Sequence, residues 1–448
     1  MKKLFALLMV LVCSLTAVVL TGCNNGEEYD DPNSPTKVVK IWVHKSEAED
    51  EGKVYSAIAD LFNESGFKTA DGTKDLRVKL EFKNSSDTLS TAIQAEVLSG
   101  GLPDIVAVDA PNIAAYADAG ILTDINSYVS DDVKATYVDS VIEQSTYNGG
   151  LYALSAMDAP TGMYYNKDLL KQVGYTDSDF GTVSNPWSWK DTMAAMKKLK
   201  EAGLPYQIKL NLGFGGDEGV MYLYSSLVYS AGGDFVGADG KVSGHLNSAK
   251  SIEGIRQLEP FFEVGADSAS WLYNGSNTDA LASGECAFEI HGPWNIATIQ
   301  KNYQTFINSY GIMPMPVYED ASGNKGKAVA GCGSWGFGVT TNSRDPESAA
   351  IVLQYFTGAI ATELLYESIG TFPTNKEVLA NTPSFQNGQL KQMADILNYC
   401  ATPRPKLINY PQLSAQYSNI IESIETLYGT SDYDLEGFIE TSIKQIDR

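Results

Sequence analysis

Residues 38–108 alternate between two hydrophobic periods, and that alternation constrains the fold more than any other feature of the chain. Residues 38–43 form a near-continuous apolar run, of the kind buried on both faces in a parallel sheet. Val54, Ile58, Leu61 and Phe62 then recur at helical spacing, and Ser65-Gly66 closes that stretch. Leu76, Val78, Leu80 and Phe82 alternate as a second strand. Leu89, Ile93 and Val97 form a second helical stripe, ended by Ser99-Gly100-Gly101-Leu102-Pro103, and residues 104–108 supply a third strand. Such an order demands right-handed crossovers and an open α/β sheet, whose ligands gather beyond the carboxyl ends of the strands. Those ends are His44-Lys45, Asn84-Ser85 and residues 109–112.

The theme recurs downstream. Asn148-Gly149 within 147–152 marks a hairpin, and Ala159-Pro160-Thr161-Gly162 is a helix-breaking, extended segment suited to a crossing between lobes. Residues 189–199 read as an amphipathic helix with Trp189, Met193, Met196 and Leu199 on one face, and 235–242 as another hairpin. Residues 249–259 read as a helix ended by Pro260. Residues 286–290 and the Gly-rich 331–340 read as strands, and 347–356, 414–427 and 435–446 as helices. At 448 residues the chain is too long for one ordinary core, so two α/β lobes are expected, each drawing on both halves of the sequence.

The N-terminus carries an address. Met1-Lys2-Lys3, an apolar stretch over 4–20 and Leu20-Thr21-Gly22-Cys23 make a secretory signal. The last four residues resemble a bacterial lipobox, which implies that Cys23 is lipidated after removal of 1–22, with 23–37 as a flexible polar tether. No second apolar run is expected to reach membrane length. A formal charge of −23 argues against holding nucleic acid by phosphate neutralisation, and against a basic membrane-binding surface. Cys286, Cys332 and Cys400 remain, an odd set without metal-type spacing. Buried thiols are the expectation, with a Cys286–Cys332 bridge as the lesser alternative. His44, His245 and His291 are scattered, so no metal site is expected.

Four segments taken together carry a family resemblance: Lys40-Ile41-Trp42-Val43, Tyr164-Tyr165-Asn166-Lys167-Asp168-Leu169-Leu170, Ser283-Gly284-Glu285-Cys286-Ala287-Phe288-Glu289-Ile290-His291-Gly292-Pro293-Trp294, and Tyr410-Pro411-Gln412-Leu413-Ser414-Ala415. Tyr116-Ala117-Asp118-Ala119-Gly120 and residues 342–354 match in the same order. Over residues 38–448 the chain resembles the extracellular solute-binding proteins of ABC importers, in the branch of the maltose- and maltodextrin-binding proteins. The resemblance implies a bilobal periplasmic-binding-protein-like fold, two open-sheet α/β lobes joined by hinge strands. Lobe one would comprise 38–157 and 333–382, and lobe two 158–332 and 383–448. It also implies an oligosaccharide ligand, an ABC permease as partner and no cofactor. A monomer, lipid-anchored at Cys23 to the outer face of the cell membrane, is expected.

A sugar ring offers C–H faces to flat aromatics and rim hydroxyls to carboxylates, amides and cations. Trp294 follows Gly292-Pro293 at a strand end and matches the family's stacking Trp. Tyr417 falls on another stacking position, although helical spacing suits a core role nearly as well. Trp335, between glycines, is a further platform, with a packed core residue as the even alternative. Lys45, Glu47, Asp109, Asn112 and Asp158 are candidates for rim hydroxyls. The resemblance adds Glu218 and Tyr222, with Tyr224 beside them, and Arg404 either reaches the cleft or lies in a surface loop. The family's Trp and Asp-Arg pair after strand three are replaced here by Val108 and Pro111-Asn112, so one stacking platform and one strong donor of the family are missing. Alternatives from other classes are a binder of another small polar solute and a secreted glycoside hydrolase, for which no carboxylate pair stands out among 55 acidic residues.

Overall fold

The computed structural model describes residues 34–214, 216–263, 271–273, 275, 277 and 279–447. The expected signal, the Cys23 lipidation site and the tether up to residue 33 lie outside the described residues. The principal strands are β1 (Thr36–Val43), β2 (Asp75–Phe82), β3 (Ile105–Asp109), β4 (Gly162–Asn166), β5 (Ile208–Lys209), β6 (Phe288–His291), β7 (Tyr310–Met313) and β8 (Trp335–Val339). The helices that matter for the site are α1 (Asp50–Glu64), α2 (Ser86–Val97), α3 (Gly216–Ser230), α4 (Trp294–Asn302) and α5 (Tyr410–Leu427).

The architecture is bilobal α/β. One sheet has the order β8-β3-β1-β2, parallel except for β8. Its strands come from residues far apart in sequence, as expected of a chain that crosses more than once. Thr36 and Lys37 pair with Asp75 and Leu76, so the first strand begins inside the stretch expected as tether. The α1 stripe is Val54, Tyr55, Ile58 and Phe62; Leu61, expected on it, is exposed because the buried arc turns toward Tyr55.

The second sheet has the order β7-β4-β6-β5, with β4 antiparallel to both neighbours. Alternation along β4 sends Met163 and Tyr165 into one hydrophobic cluster and Tyr164 into the other, so every residue of this strand is buried. Two short pairs lie between the sheets: Met157–Asp158 runs antiparallel to Phe372–Pro373, and Ala330–Cys332 parallel to Ala401–Pro403.

Several local expectations change. The Gly-rich stretch 331–340 is two strands in different sheets, broken at Gly333, whose φ of 136° no other residue adopts easily. Residues 235–242 form no hairpin; a turn closes with Gly237 accepting from Gly240 and donating to Lys241. Pro260 sits inside a 3-10 turn, Arg256–Phe261, that prolongs the helix Ala249–Ile255. The Asn148-Gly149 hairpin forms as expected, both residues at positive φ. Pro346–Ile369 is a helical stretch long and apolar enough to cross a membrane, contrary to expectation, yet its Leu353, Phe356 and Leu365 are fully buried in the first cluster. Cys286, Cys332 and Cys400 are free, buried thiols, so the Cys286–Cys332 bridge is not formed. Burial pushes all of them above the usual thiol range.

Candidate functional site

A cavity of ≈310 Å³ opens between the sheets. The carboxyl ends of β3 and β8's first residue bring Asp109 and Trp335 to it, which face each other in register across the ladder. The crossing segments contribute Met157–Asp158, Ala159, Gly333, Ser334, and Ile369 to Phe372. Phe214, Glu218, Tyr222, Trp294 and Arg404 line it as well, while Glu51 enters from the first turn of α1. The structure therefore brings Asp109, Asp158, Glu218, Tyr222, Trp294, Trp335 and Arg404 together, all of them sequence candidates.

Trp294 opens α4 directly after Gly292-Pro293. A Cβ on Gly292 would stand 2.2 Å from the indole, so only glycine lets the backbone pass under the ring. Phe214 and Tyr222 lie near-parallel to that indole, at 5.5 Å and 6.0 Å between centroids and tilted by 22° and 23°. Tyr222 sits one helical turn beyond Glu218 on α3, on the same face, and its hydroxyl donates to Ala159 O at 2.8 Å. Directly after β1, His44 covers a face of Trp335, with centroids 3.8 Å apart and planes 7° from parallel.

The polar side is built around Arg404, which is buried rather than in a surface loop. Its Nη2 donates to Asp109 at 3.0 Å and its Nη1 to Glu218, whose carboxylate also accepts from the Tyr410 hydroxyl and from Ser414 at 3.2 Å. Burial works against the guanidinium charge, and Asp109 and Glu218 more than offset it, holding Arg404 well above its ordinary pKa. Asp158 is buried and accepts from Ser140 Oγ at 2.6 Å and Ala159 N at 2.8 Å. Burial still outweighs those bonds and raises its pKa.

Glu51 was not among the sequence candidates. It follows Glu49 and Asp50 in an acidic run that carries no signal of which carboxylate turns inward. Tyr55 donates to it at 2.8 Å from one turn on, Lys45 lies 3.4 Å away, and His44 Nε2 stands at 3.3 Å, an ion-pair distance outside hydrogen-bond geometry. Burial alone would raise its pKa; His44, Lys45 and Tyr55 bring it below the usual range. Phe214 also went unnoticed, because a lone Phe among glycines has no periodicity to place it.

Four candidates lie elsewhere. Lys45 pairs with Glu51 and is not part of the cavity lining, and Glu47 is exposed before α1. Asn112 closes a 3-10 turn, Ala110–Asn112, outside the cavity lining. Tyr417 is fully buried on α5, its hydroxyl donating to Tyr224 O at 2.8 Å and its ring edge-on to Phe235; Tyr224 is buried with it. The helical spacing that suited a core role for Tyr417 is the reading the packing follows.

A second cavity, ≈860 Å³, continues from the first, sharing Trp294, Ile369 and Gly370 with it and adding Asp50, Lys301, Tyr366 and Glu367. The pair makes an aromatic and carboxylate-lined groove, a surface able to stack flat apolar faces and to bond hydroxyl rims.

Among known proteins the chain is similar to a maltodextrin-binding protein of Bacillus subtilis, 24% identical over 421 residues that cover 92% of this chain and 89% of that protein. It is 26% identical to a probable ABC transporter-binding protein of Deinococcus radiodurans over 66% of this chain and 69% of that one. Of solved structures, the sugar-binding protein MalE of Xanthomonas citri superposes with a TM-score of 0.75 at 16% identity, over 92% of this chain and 96% of that one. A cyclic alpha-maltosyl-1,6-maltose binding protein of Arthrobacter globiformis gives 0.71 at 20%, over 92% and 98%. The model of the bacterial extracellular solute-binding protein family matches residues 48–363, well over half of the sequence, and the chain belongs to that family.

Proposed function

We propose that the protein captures an oligosaccharide in the groove around Trp294 and delivers it to an ABC permease. One observation carries the reading: Phe214, Tyr222 and Trp294 from one lobe and Trp335 from the other converge on a single cavity with Asp109, Asp158, Glu218, Glu51 and Arg404. Aromatics and hydrogen-bonding groups in that mixture suit a ring with apolar faces and a hydroxyl rim, and reject ligands that would leave the polar groups unpaired. The continuation past Trp294 favours more than one ring. The names of the relatives support the same class.

The family is one of extracellular solute binders, which implies a location outside the cytoplasm. In this reading Cys23 carries a lipid that tethers a monomer beside its importer. The lobes divide near residues 157–158, 332–333 and 382–383, ligand contacts from both favour closure, and no bond in the sugar is broken. Calorimetry and thermal shift across malto-, galacto- and xylo-oligosaccharides test it. At least one series should bind and raise the melting temperature without release of shorter sugars. If no oligosaccharide binds, the reading fails; turnover typical of a hydrolase would replace it.

A further inference from the structure

Two aromatic platforms of the cavity leave from the ends of neighbouring strands. β5 and β6 pair in parallel, with Lys209 opposite Glu289. Beyond β6, Gly292-Pro293 delivers Trp294 to the start of α4. Beyond β5, a turn in which Phe214 N donates to Asn211 O at 3.0 Å delivers Phe214. The Phe214 side chain remains 39% exposed, so packing alone holds it loosely. Its place beside the indole therefore depends on the turn that carries it.

Asn211 joins the two strand ends. Its Nδ2 donates to Glu289 Oε1 at 3.1 Å and to Ile290 O at 2.8 Å, so both protons of the amide are used on β6. Its backbone has φ of 57°, a left-handed conformation that Asn adopts more readily than most residues with a Cβ. The acceptor is itself fixed: Glu289 is buried and paired with Lys209 Nζ at 3.1 Å. On the Trp294 side, the Tyr164 hydroxyl donates to Gly292 O at 2.8 Å. His291 neighbours both rings, with centroids 6.0 Å from Phe214 and 5.3 Å from Trp294. We infer that Asn211 is a positioning residue for the binding platform. Its amide ties the turn that carries Phe214 to the strand that carries Trp294, and so sets the spacing and tilt of the two rings. A stacking surface keeps its affinity only while its supports hold it to within about 0.5 Å, which is the task of such a tie. The effect on ligand rests on the oligosaccharide reading above; the effect on the rings does not.

The test is a double-mutant cycle on the full chain. Asn211→Gly removes the amide but adopts the left-handed backbone without strain, so the turn is kept and only its tie is lost. Near-UV circular dichroism of the unliganded protein should change in Asn211→Gly, because the Phe214–Trp294 geometry relaxes. Made in a Phe214→Ala background, the same substitution should leave the spectrum of that background as it was. Calorimetry then uses whichever malto-, galacto- or xylo-oligosaccharide binds the wild type. Asn211→Gly should weaken it about five-fold, the scale of one hydrogen bond. In the Phe214→Ala background the further loss should stay under about two-fold, as for two residues acting as one. A wild-type spectrum or wild-type affinity in Asn211→Gly overturns the inference. So does a loss of affinity that is equal with and without Phe214, since Asn211 then acts on something other than that ring. If no oligosaccharide binds the wild type, the oligosaccharide reading fails, and the dichroism cycle alone decides whether Asn211 positions the rings.

Discussion

Gly292 and Trp294 show how little separates a core residue from a binding platform. The indole stands against the backbone because Gly292 has no Cβ, and Phe214 and Tyr222 fix its tilt. Trp294→Ala should weaken oligosaccharide binding at least about ten-fold, ~1.4 kcal/mol, with the melting temperature nearly unchanged, as read by calorimetry. Gly292→Ala should also lower affinity, through displacement of the indole, and change the tryptophan near-UV signal. Unaltered affinity in both variants would remove this ring from the site. Asp158 makes a separate prediction. Its folded pKa lies above the ordinary carboxylate value, because burial outweighs its hydrogen bonds. The stability it contributes is thus complete below the unfolded carboxylate pKa and is lost as pH rises through the raised folded value. Urea unfolding of Asp158→Asn should show a flatter pH dependence than the wild type on the alkaline side of pH 4, and wild-type stability that does not fall there would contradict it.

At the scale of elements, the sequence reading succeeds where burial is periodic. The strands and helices over 36–109, the helix Trp189–Glu201 and the helix Leu435–Ile446 all follow from apolar spacing, and the structure adds a Ser188 capping box at the start of the second. It fails where one backbone angle decides. Residues 331–340 look like one strand, but Gly333 turns the chain from the pair with Ala401–Pro403 into β8, and that turn delivers Trp335 to the cavity. A Cβ at Gly333 would stand 2.7 Å from Arg404 Nη2. Gly333→Ala is therefore expected to cost about 1–3 kcal/mol in chemical denaturation, from strain at positive φ and crowding of a buried guanidinium. A change within ±0.5 kcal/mol would refute that account.

Across the whole molecule, Arg404 ties the end of β3 to α3, through Asp109 and Glu218, residues remote from it in sequence. Asp109→Ala removes one counter-charge from a buried guanidinium and should destabilise the protein by about 1.5–3 kcal/mol, measured by urea unfolding. Arg404→Met removes the cation instead, and the loss should then fall chiefly on Glu218 and Asp109, each partly solvated. If Asp109→Ala costs more than Arg404→Met, the bridge is held mainly by the demand of the buried charge.

The sequence by itself determined the bilobal α/β class, the family and seven of the residues that line the cavity. Those properties rest on periodic burial and on short motifs at strand ends, which are local. Tertiary structure alone decided which acidic residue of the 49–51 run faces inward, that Tyr417 packs in the core beside Tyr224, that Phe214 joins the Trp294 stack, and that Arg404 is buried between Asp109 and Glu218. Each of these depends on the direction of one side chain relative to a partner far away in sequence, and hydrophobic periodicity records only that a side chain is buried, never against what.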